Sequence, residues 1–253
     1  MFDFEIEDGV LTWYKGEAEA VTIPREVVRI GPDAFKDSEV VRVLLHNGIT
    51  RIHRDAFSGC YRLREIDIPD SVTRIDRRAF YKCTALESVH LPARLEMIRD
   101  STFAGCASLK HITLPDSVRI IGGAAFLRCE SLETIDMPET LEEILEVAFQ
   151  NCTSLKLDAL PAHLKTLGTL AFDGCKRITS LRLGGELTKL ITMSLPNSVD
   201  TLHVPEDRIE EYLRILNEPS AELSTPHHCM VFQRGNLWKI DRQIGILTIC
   251  RNR

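Results

Sequence analysis

The sequence predicts a repeat solenoid, with short parallel strands on one wall, helical or 3₁₀ turns on the opposite wall, and a cap at each end. Three observations predict it. A Phe preceded by Ala, or once by Thr, recurs at Phe35, Phe57, Phe80, Phe103, Phe126, Phe149 and Phe172, a step of 22 residues and then of 23 throughout. Three residues after each Phe from Phe57 onward stands a cysteine: Cys60, Cys83, Cys106, Cys129, Cys152 and Cys175, with Ser38 at that place in the first copy. Around these columns run two more apolar patterns. Ile30, Ile52, Ile75, Ile98, Ile121, Ile144 and Leu167 lie upstream, and Leu-x-x-Ile-x-Leu-Pro lies downstream in variants such as Leu63/Ile66/Ile68/Pro69 and Leu109/Ile112/Leu114/Pro115. A unit of 23 residues with so few apolar positions cannot bury its own hydrophobic face, so its copies must stack.

Within a copy, the period-2 stretch Ile-x-Ile or Val-x-Leu reads as a short strand with two side chains inward and the middle one outward. The Pro that follows has no N–H for a ladder and ends the strand. Ala-Phe-x-x-Cys, led by Asp, Arg, Ser or Gly residues, reads as one helical or 3₁₀ turn. The pattern decays late in the chain: Asp158 falls where Ile135 stood one copy earlier, so the strand before Pro161 must shift or bulge to keep a carboxylate out of the core. Gly184-Gly185 replaces the Pro after Leu183, residues 186–194 lack the Ala-Phe turn, and Leu202-x-Val204-Pro205 resumes the strand pattern.

The ends have a different composition, as terminal coils must be covered. Residues 2–16 carry Phe4-x-Ile6, a turn at Asp8-Gly9 and Val10-Leu11-x-Trp13-Tyr14, which reads as a capping hairpin. Residues 206–216 place Ile209, Tyr212, Leu213 and Leu216 on one face of an amphipathic helix. After a polar loop, segments 230–232, 237–240 and 246–249 read as short strands. The expected organisation is a hairpin cap over 1–20, a solenoid over 21–205 and a C-terminal cap over 206–253.

With these residues in view, the chain resembles a leucine-rich repeat protein of the BspA-like class, whose unit carries A-F-x-x-C followed by L-x-x-I-x-L. The resemblance covers roughly Val21 to Pro205. It implies a gently curved right-handed solenoid and a recognition role, seen most often on bacterial and protist surfaces. The sequence departs from the general leucine-rich pattern in lacking the Asn or Cys shortly after the strand, where Pro and a Val/Leu column stand instead.

Composition narrows the function. The 253 residues are 44% hydrophobic and 27% charged, and 31 Lys+Arg against 37 Asp+Glu leave a net charge of −6. That balance gives no electrostatic reason to expect a nucleic-acid partner. No apolar run approaches the ~18 residues of a membrane span. The acidic start lacks the basic opening of an export signal, and cysteines spaced by 23 resemble neither zinc ligands nor a secreted disulfide framework. A cytoplasmic location is the expectation, or the cell surface if a leader has been removed. A monomer is expected, with a protein partner and no cofactor.

The cysteine column reads as a small buried hydrophobe beside the Phe, the alternative being disulfides between adjacent coils. His227-His228-Cys229 has the residue types of a metal or catalytic site but no second ligand cluster and no oxyanion-stabilising loop nearby, so a solvated loop is the better reading. Asn151-Cys152-Thr153 fits the glycosylation pattern, which matters only after export.

Function is expected on the outward strand residues, which form two columns along the sheet. One runs Leu44, Asp67, His90, Thr113, Asp136, Ala159, Arg182 and His203; the other runs Arg42, Glu65, Ser88, His111, Thr134, Leu157, Ser180 and Thr201. The binding candidates are Arg42, Leu44, Glu65, Asp67, His90, His111, Thr113, Thr134, Asp136, Arg182 and His203. Variation from copy to copy suits a recognition face, and plain solubility would account for it equally. A non-enzymatic binding scaffold for a protein, or a glycan, is the first reading. The rivals are an enzyme built on His90, His111, Asp67 and Asp136, and a regulatory module that binds through its C-terminal cap. Histidines beside carboxylates also suit pH-sensitive binding or a divalent metal.

Overall fold

The computed structural model describes residues 3–190, 193–209, 211–212, 236–241 and 246–251. Each coil of this β-solenoid has three walls. The front wall is built of three-residue strands, among them Ala20–Thr22, Arg42–Leu44, Glu65–Asp67, Ser88–His90, His111–Thr113, Thr134–Asp136, Ser180–Arg182 and Thr201–His203. Their middle residue points inward: Val43, Ile66, Ile112, Ile135, Leu181 and Leu202 are buried, and both flanking positions face outward. Neighbouring strands run parallel with residues one coil apart as partners, as in Arg42↔Glu65, Val43↔Ile66 and Leu44↔Asp67.

Parallel ladders also form the side wall, where the sequence showed only an apolar column, one ending at Arg74–Ile75 and the next starting at Met97–Ile98. Their strands are two residues long, Arg29–Ile30, Arg51–Ile52, Arg74–Ile75, Met97–Ile98, Ile120–Ile121, Glu143–Ile144, Thr166–Leu167 and Lys189–Leu190. Two residues are too few for an alternation to be read, so these ladders are visible only once coils are stacked.

The third wall holds the Ala-Phe turns. They are not helical. Cys60 N–H donates to Phe57 O at 3.2 Å, a turn-type bond, while Phe57 N–H and Gly59 N–H donate to Ala79 O (2.8 Å) and Tyr81 O (2.7 Å) of the next coil. What stops a helix is a left-handed residue on each side of the Phe. Two residues before it stand Asp33, Asp55, Arg78, Ser101, Ala124, Val147 and Leu170, and two residues after it stand Asp37, Gly59, Lys82, Gly105, Arg128, Asn151 and Gly174, all with positive φ.

Inside this wall the Phe rings stack from Phe35 to Phe172, with centroids 5.0 Å apart for the Phe35–Phe57 pair and 5.5 Å for the Phe103–Phe126 pair. The stack continues beyond the repeats: Tyr14 lies 5.0 Å from Phe35, and Phe4 lies 5.4 Å from Tyr14. Both added rings come from an N-terminal hairpin, Phe4–Glu7 paired antiparallel with Val10–Tyr14, whose second strand joins the side ladder at Arg29–Ile30.

The column cysteines are free and buried. They do more than fill space, because each thiol donates to the carbonyl of a Phe one coil earlier, from Cys60 Sγ to Phe35 O (3.0 Å) through Cys175 Sγ to Phe149 O (3.1 Å). Burial pushes the thiols of Cys83, Cys106, Cys129 and Cys152 above their ordinary pKa. Cys175 is raised by its hydrogen bond with Cys152 and by burial.

At the C-terminal end, Asp158 is exposed and no named strand forms there; only an isolated bridge, Ala159↔Arg182, crosses the place. The bridge keeps the 23-residue step, so the carboxylate is kept out of the core by the loss of the strand rather than by a change of register. Residues 206–208 form a 3₁₀ turn, and Tyr212 is fully buried, its hydroxyl donating to Gly184 O at 2.9 Å. A Cβ on Gly184 would sit 2.5 Å from Pro161 O, so only glycine lets the coils approach here. The hairpin Asn236–Asp241 and Ile246–Arg251 pairs antiparallel with Thr201–His203 and closes the front ladder. Leu213 and Leu216 of the expected helix, the expected strand at 230–232 and His227-His228-Cys229 lie outside the described residues. Among the described residues, no helix is long and apolar enough to cross a membrane.

Three tests follow from this packing. Phe103→Ala and Phe126→Ala should each lower stability by about 3–5 kcal/mol in denaturant titration. Phe35 stands near the start of the repeats, yet Tyr14 and Phe57 cover both its faces, so Phe35→Ala should cost a similar amount. Arg128 is exposed at a left-handed position where other coils use glycine; Arg128→Gly should raise stability by about 0.5–1 kcal/mol, and Gly105→Ala should lower it by about 1 kcal/mol. Iodoacetamide at neutral pH should leave the six column thiols of the native protein unmodified by mass spectrometry until denaturant is added.

Candidate functional site

The outward columns of the front ladder are set by the pleat, since the flanks of each buried middle residue must face solvent. Arg42, Leu44, Glu65, Asp67, His90, His111, Thr113, Thr134, Asp136 and Arg182 are exposed, and His203 is half-buried. The structure does not hold them in one unbroken row. The ladder divides into Ala20–Thr22 through Ser88–His90, the pair His111–Thr113 and Thr134–Asp136, and a last segment from Ser180–Arg182 onward. The second division falls at Asp158, where no strand forms.

The first division falls in the middle of a groove of about 730 Å³, lined by Arg42, Leu44, Glu65, Asp67, His90, His111 and Thr113 with Val43, Ile66, Val89 and Ile112 as its floor. Strands Ser88–His90 and His111–Thr113 flank each other without ladder hydrogen bonds, and Val89 is half-buried where its counterparts Ile66 and Ile112 are buried. Leu91 N–H has no backbone acceptor among the described residues, whereas Ile68 N–H donates to His90 O (3.2 Å) and Leu114 N–H to Asp136 O (2.9 Å).

Side chains within the groove fall into two groups. Arg42 Nε lies 3.3 Å from Glu65 Oε1, across two exposed side chains. Asp67 and His90 are register partners, and neither side chain has a hydrogen-bond or ion-pair partner among the described residues. On the far side of the division, His111 Nδ1 lies 2.7 Å from Thr134 Oγ1, and its Nε2 lies 3.1 Å from Thr113 Oγ1 and 3.3 Å from Asp136 Oδ2. Thr113 Oγ1 donates to Asp136 Oδ2 at 2.9 Å. Thr134 and Asp136 thus orient His111 at the groove's edge. Arg182 and His203 stand apart beyond the break at Asp158, where His203 Nε2 meets Ser180 Oγ at 3.1 Å.

Sequence reasoning missed part of the lining. Leu45, Asp70, Glu87, Leu91 and Lys110 also border the groove. Glu87 and Lys110 each stand one residue before a strand, so extending the outward columns by one position would have found them. The border is acidic overall, with Glu65, Asp67, Asp70 and Glu87 against Arg42 and Lys110. Of the acid/base candidates, only His111 and Asp136 touch, and both are more than half exposed. Among the described residues, no three His, Cys, Asp or Glu side chains are placed to hold a metal ion.

The sequence profile of the BspA-type leucine-rich repeat region matches residues 5–129 and 73–202. Solved structures share the fold. A leucine-rich repeat protein of T. pallidum is 32% identical, covering 67% of this chain and 82% of its own, with a TM-score of 0.62. One from Bacteroides ovatus is 28% identical and covers 80% of this chain and 55% of its own (TM-score 0.55). Another, from Eubacterium ventriosum, is 25% identical and covers 66% and 46% (TM-score 0.62). The chain therefore spans only about half the length of the last two. No curated protein matches it.

The division of the front ladder is open to a direct test. In native-state hydrogen exchange, the Leu91 amide should exchange faster than those of Ile68 and Leu114, which hold the bond it lacks. Equal protection at the three positions would contradict an open ladder.

Proposed function

The chain belongs to the BspA-type leucine-rich repeat family, and from that premise we propose that it is a non-catalytic binding scaffold that holds a segment of a protein partner in the front groove. Proteins of this family are generally non-catalytic repeat proteins. The observation that carries the reading is the contrast between columns: the inward ones repeat Val, Ile and Leu, while the outward ones change side-chain type from rung to rung and are exposed over the rungs that border the groove. Fold alone does not specify a ligand; the groove's chemistry narrows it. Its acidic border and the exposed Leu44 suit a segment that offers Lys or Arg beside an apolar side chain. Unpaired carboxylate and imidazole groups at Asp67 and His90 are free to bond such a ligand without first breaking an internal contact.

The enzyme reading has less support. His90, His111, Asp67 and Asp136 are exposed on a shallow face, and general acid/base chemistry gains little where water competes at every group.

Replacing Leu44, Glu65, Asp67 and His90 together by Ala should leave stability within about 1 kcal/mol, because none is in the core. Selection of displayed random peptides on the wild type should enrich basic-apolar sequences, and their affinity should fall at least about tenfold on the variant. Peptides bound equally by both proteins would move the site off the groove, towards the C-terminal cap. A selection that enriches nothing would remove the peptide-scaffold reading.

A further inference from the structure

The side ladder carries an arginine row that the front-face reading does not use. Arg29, Arg51 and Arg74 are direct register partners on three successive rungs, about 4.8 Å apart. Like charges directly opposite each other on a ladder are destabilising, and the fold does not require them: the later rungs place Met97, Ile120, Glu143, Thr166 and Lys189 at the same position. One carboxylate organises the row. Asp76 Oδ2 accepts from Arg51 Nε (3.0 Å) and Nη2 (2.7 Å), Asp76 Oδ1 accepts from Arg74 Nε (2.6 Å), and Arg99 Nε stands 3.9 Å away. Arg29 has no carboxylate partner among the described residues; its guanidinium reaches only Asp8 O at 3.4 Å. Three guanidinium groups, those of Arg51, Arg74 and Arg99, therefore share a single carboxylate while Arg29 has none, leaving a surplus of positive charge on a chain whose net charge is −6.

The titration of the neighbours reflects that field. Burial, then Arg51, with Arg29 and Arg74 adding, lowers the pKa of His53 against the pull of Asp76. Burial would raise Asp76, but hydrogen bonds from Arg74 and Arg51 hold its carboxyl below the usual range.

We propose that the Arg29–Arg51–Arg74 row, with Arg99 at its end, binds the sulfate groups of a sulfated polysaccharide lying along the solenoid axis. Guanidinium groups bind tetrahedral oxyanions through paired, charge-assisted N–H donors. A straight row with a repeat of about 4.8 Å suits a chain that carries anionic groups along its length. A nucleic acid fits less well: a single strand needs aromatic platforms, and the positions beside the row are Val28, Thr50 and Thr73 on one side and Gly31, His53 and Asp76 on the other. This site is separate from the front groove.

The test measures binding of the full chain to immobilised dextran sulfate, with unsulfated dextran and a single-stranded DNA oligonucleotide as comparisons. Wild type should bind dextran sulfate at low salt and lose it as salt rises, ignore dextran, and bind the oligonucleotide more weakly. Arg29→Gln/Arg99→Gln should weaken dextran sulfate binding at least about tenfold with no change in melting temperature, because neither arginine is needed to hold Asp76. A second variant, Arg51→Gln/Arg74→Gln/Asp76→Asn, removes charge from both sides of the cluster and should also weaken binding; the front-groove variant should not. Absence of wild-type binding, equal binding by the Arg29/Arg99 variant, or tighter binding of the oligonucleotide would overturn the proposal.

Discussion

A coil of 23 residues has too little apolar surface to fold alone, and everything else in the molecule follows from the requirement that each coil use its neighbours as its core. The Phe stack is where this requirement is strictest. Rings 5.0–5.5 Å apart and stacked nearly parallel, as between Phe57 and Phe80 (5.3 Å, 1°), leave no room for a coil of different height. The cysteine beside each ring from Phe57 onward is held to the same step, since its thiol must reach the Phe carbonyl of the previous coil.

That regularity is sustained by backbone conformations that are locally costly. Left-handed residues on both sides of every Phe keep the turn wall flat, so its amides can pair with the next coil rather than with themselves. Glycine or asparagine accepts the position readily; Arg128, Lys82 and Val147 occupy it at a cost of about 1–2 kcal/mol each, which inter-coil bonding offsets. At the two ends the rules change because stacking has only one partner. Tyr14 and Phe4 continue the ring stack from a hairpin, and Tyr212 closes the other end against Gly184.

Once the inward positions are committed to stacking, the outward ones are free to differ, and the molecule uses that freedom in two ways. The front ladder opens between Ser88–His90 and His111–Thr113 and forms a groove with an acidic border. The side ladder concentrates arginines around Asp76. Opposite charge on two walls of one solenoid lets a single rigid frame present two chemically distinct surfaces, with no rearrangement of the core.

The repeat length, the buried Phe and Cys columns, the inward and outward faces of the front strands and the disruption of the front ladder at Asp158 are all legible in the sequence. Each is a periodic, short-range signal that packing converts directly into position. The side ladder was not legible, because two-residue strands carry no alternation. Nor was the turn wall's true conformation: Ala-Phe-x-x-Cys suits a helical turn by composition, and only pairing between coils makes the left-handed alternative favourable. The outward columns predicted which side chains face solvent but not which of them meet. That His111 joins Thr113, Thr134 and Asp136, that Arg182 and His203 stand apart, and that three arginines converge on Asp76 depend on where the ladders break and how long side chains cross between rungs. Those are distances between coils, and a linear sequence encodes them only through the stacking of the whole chain.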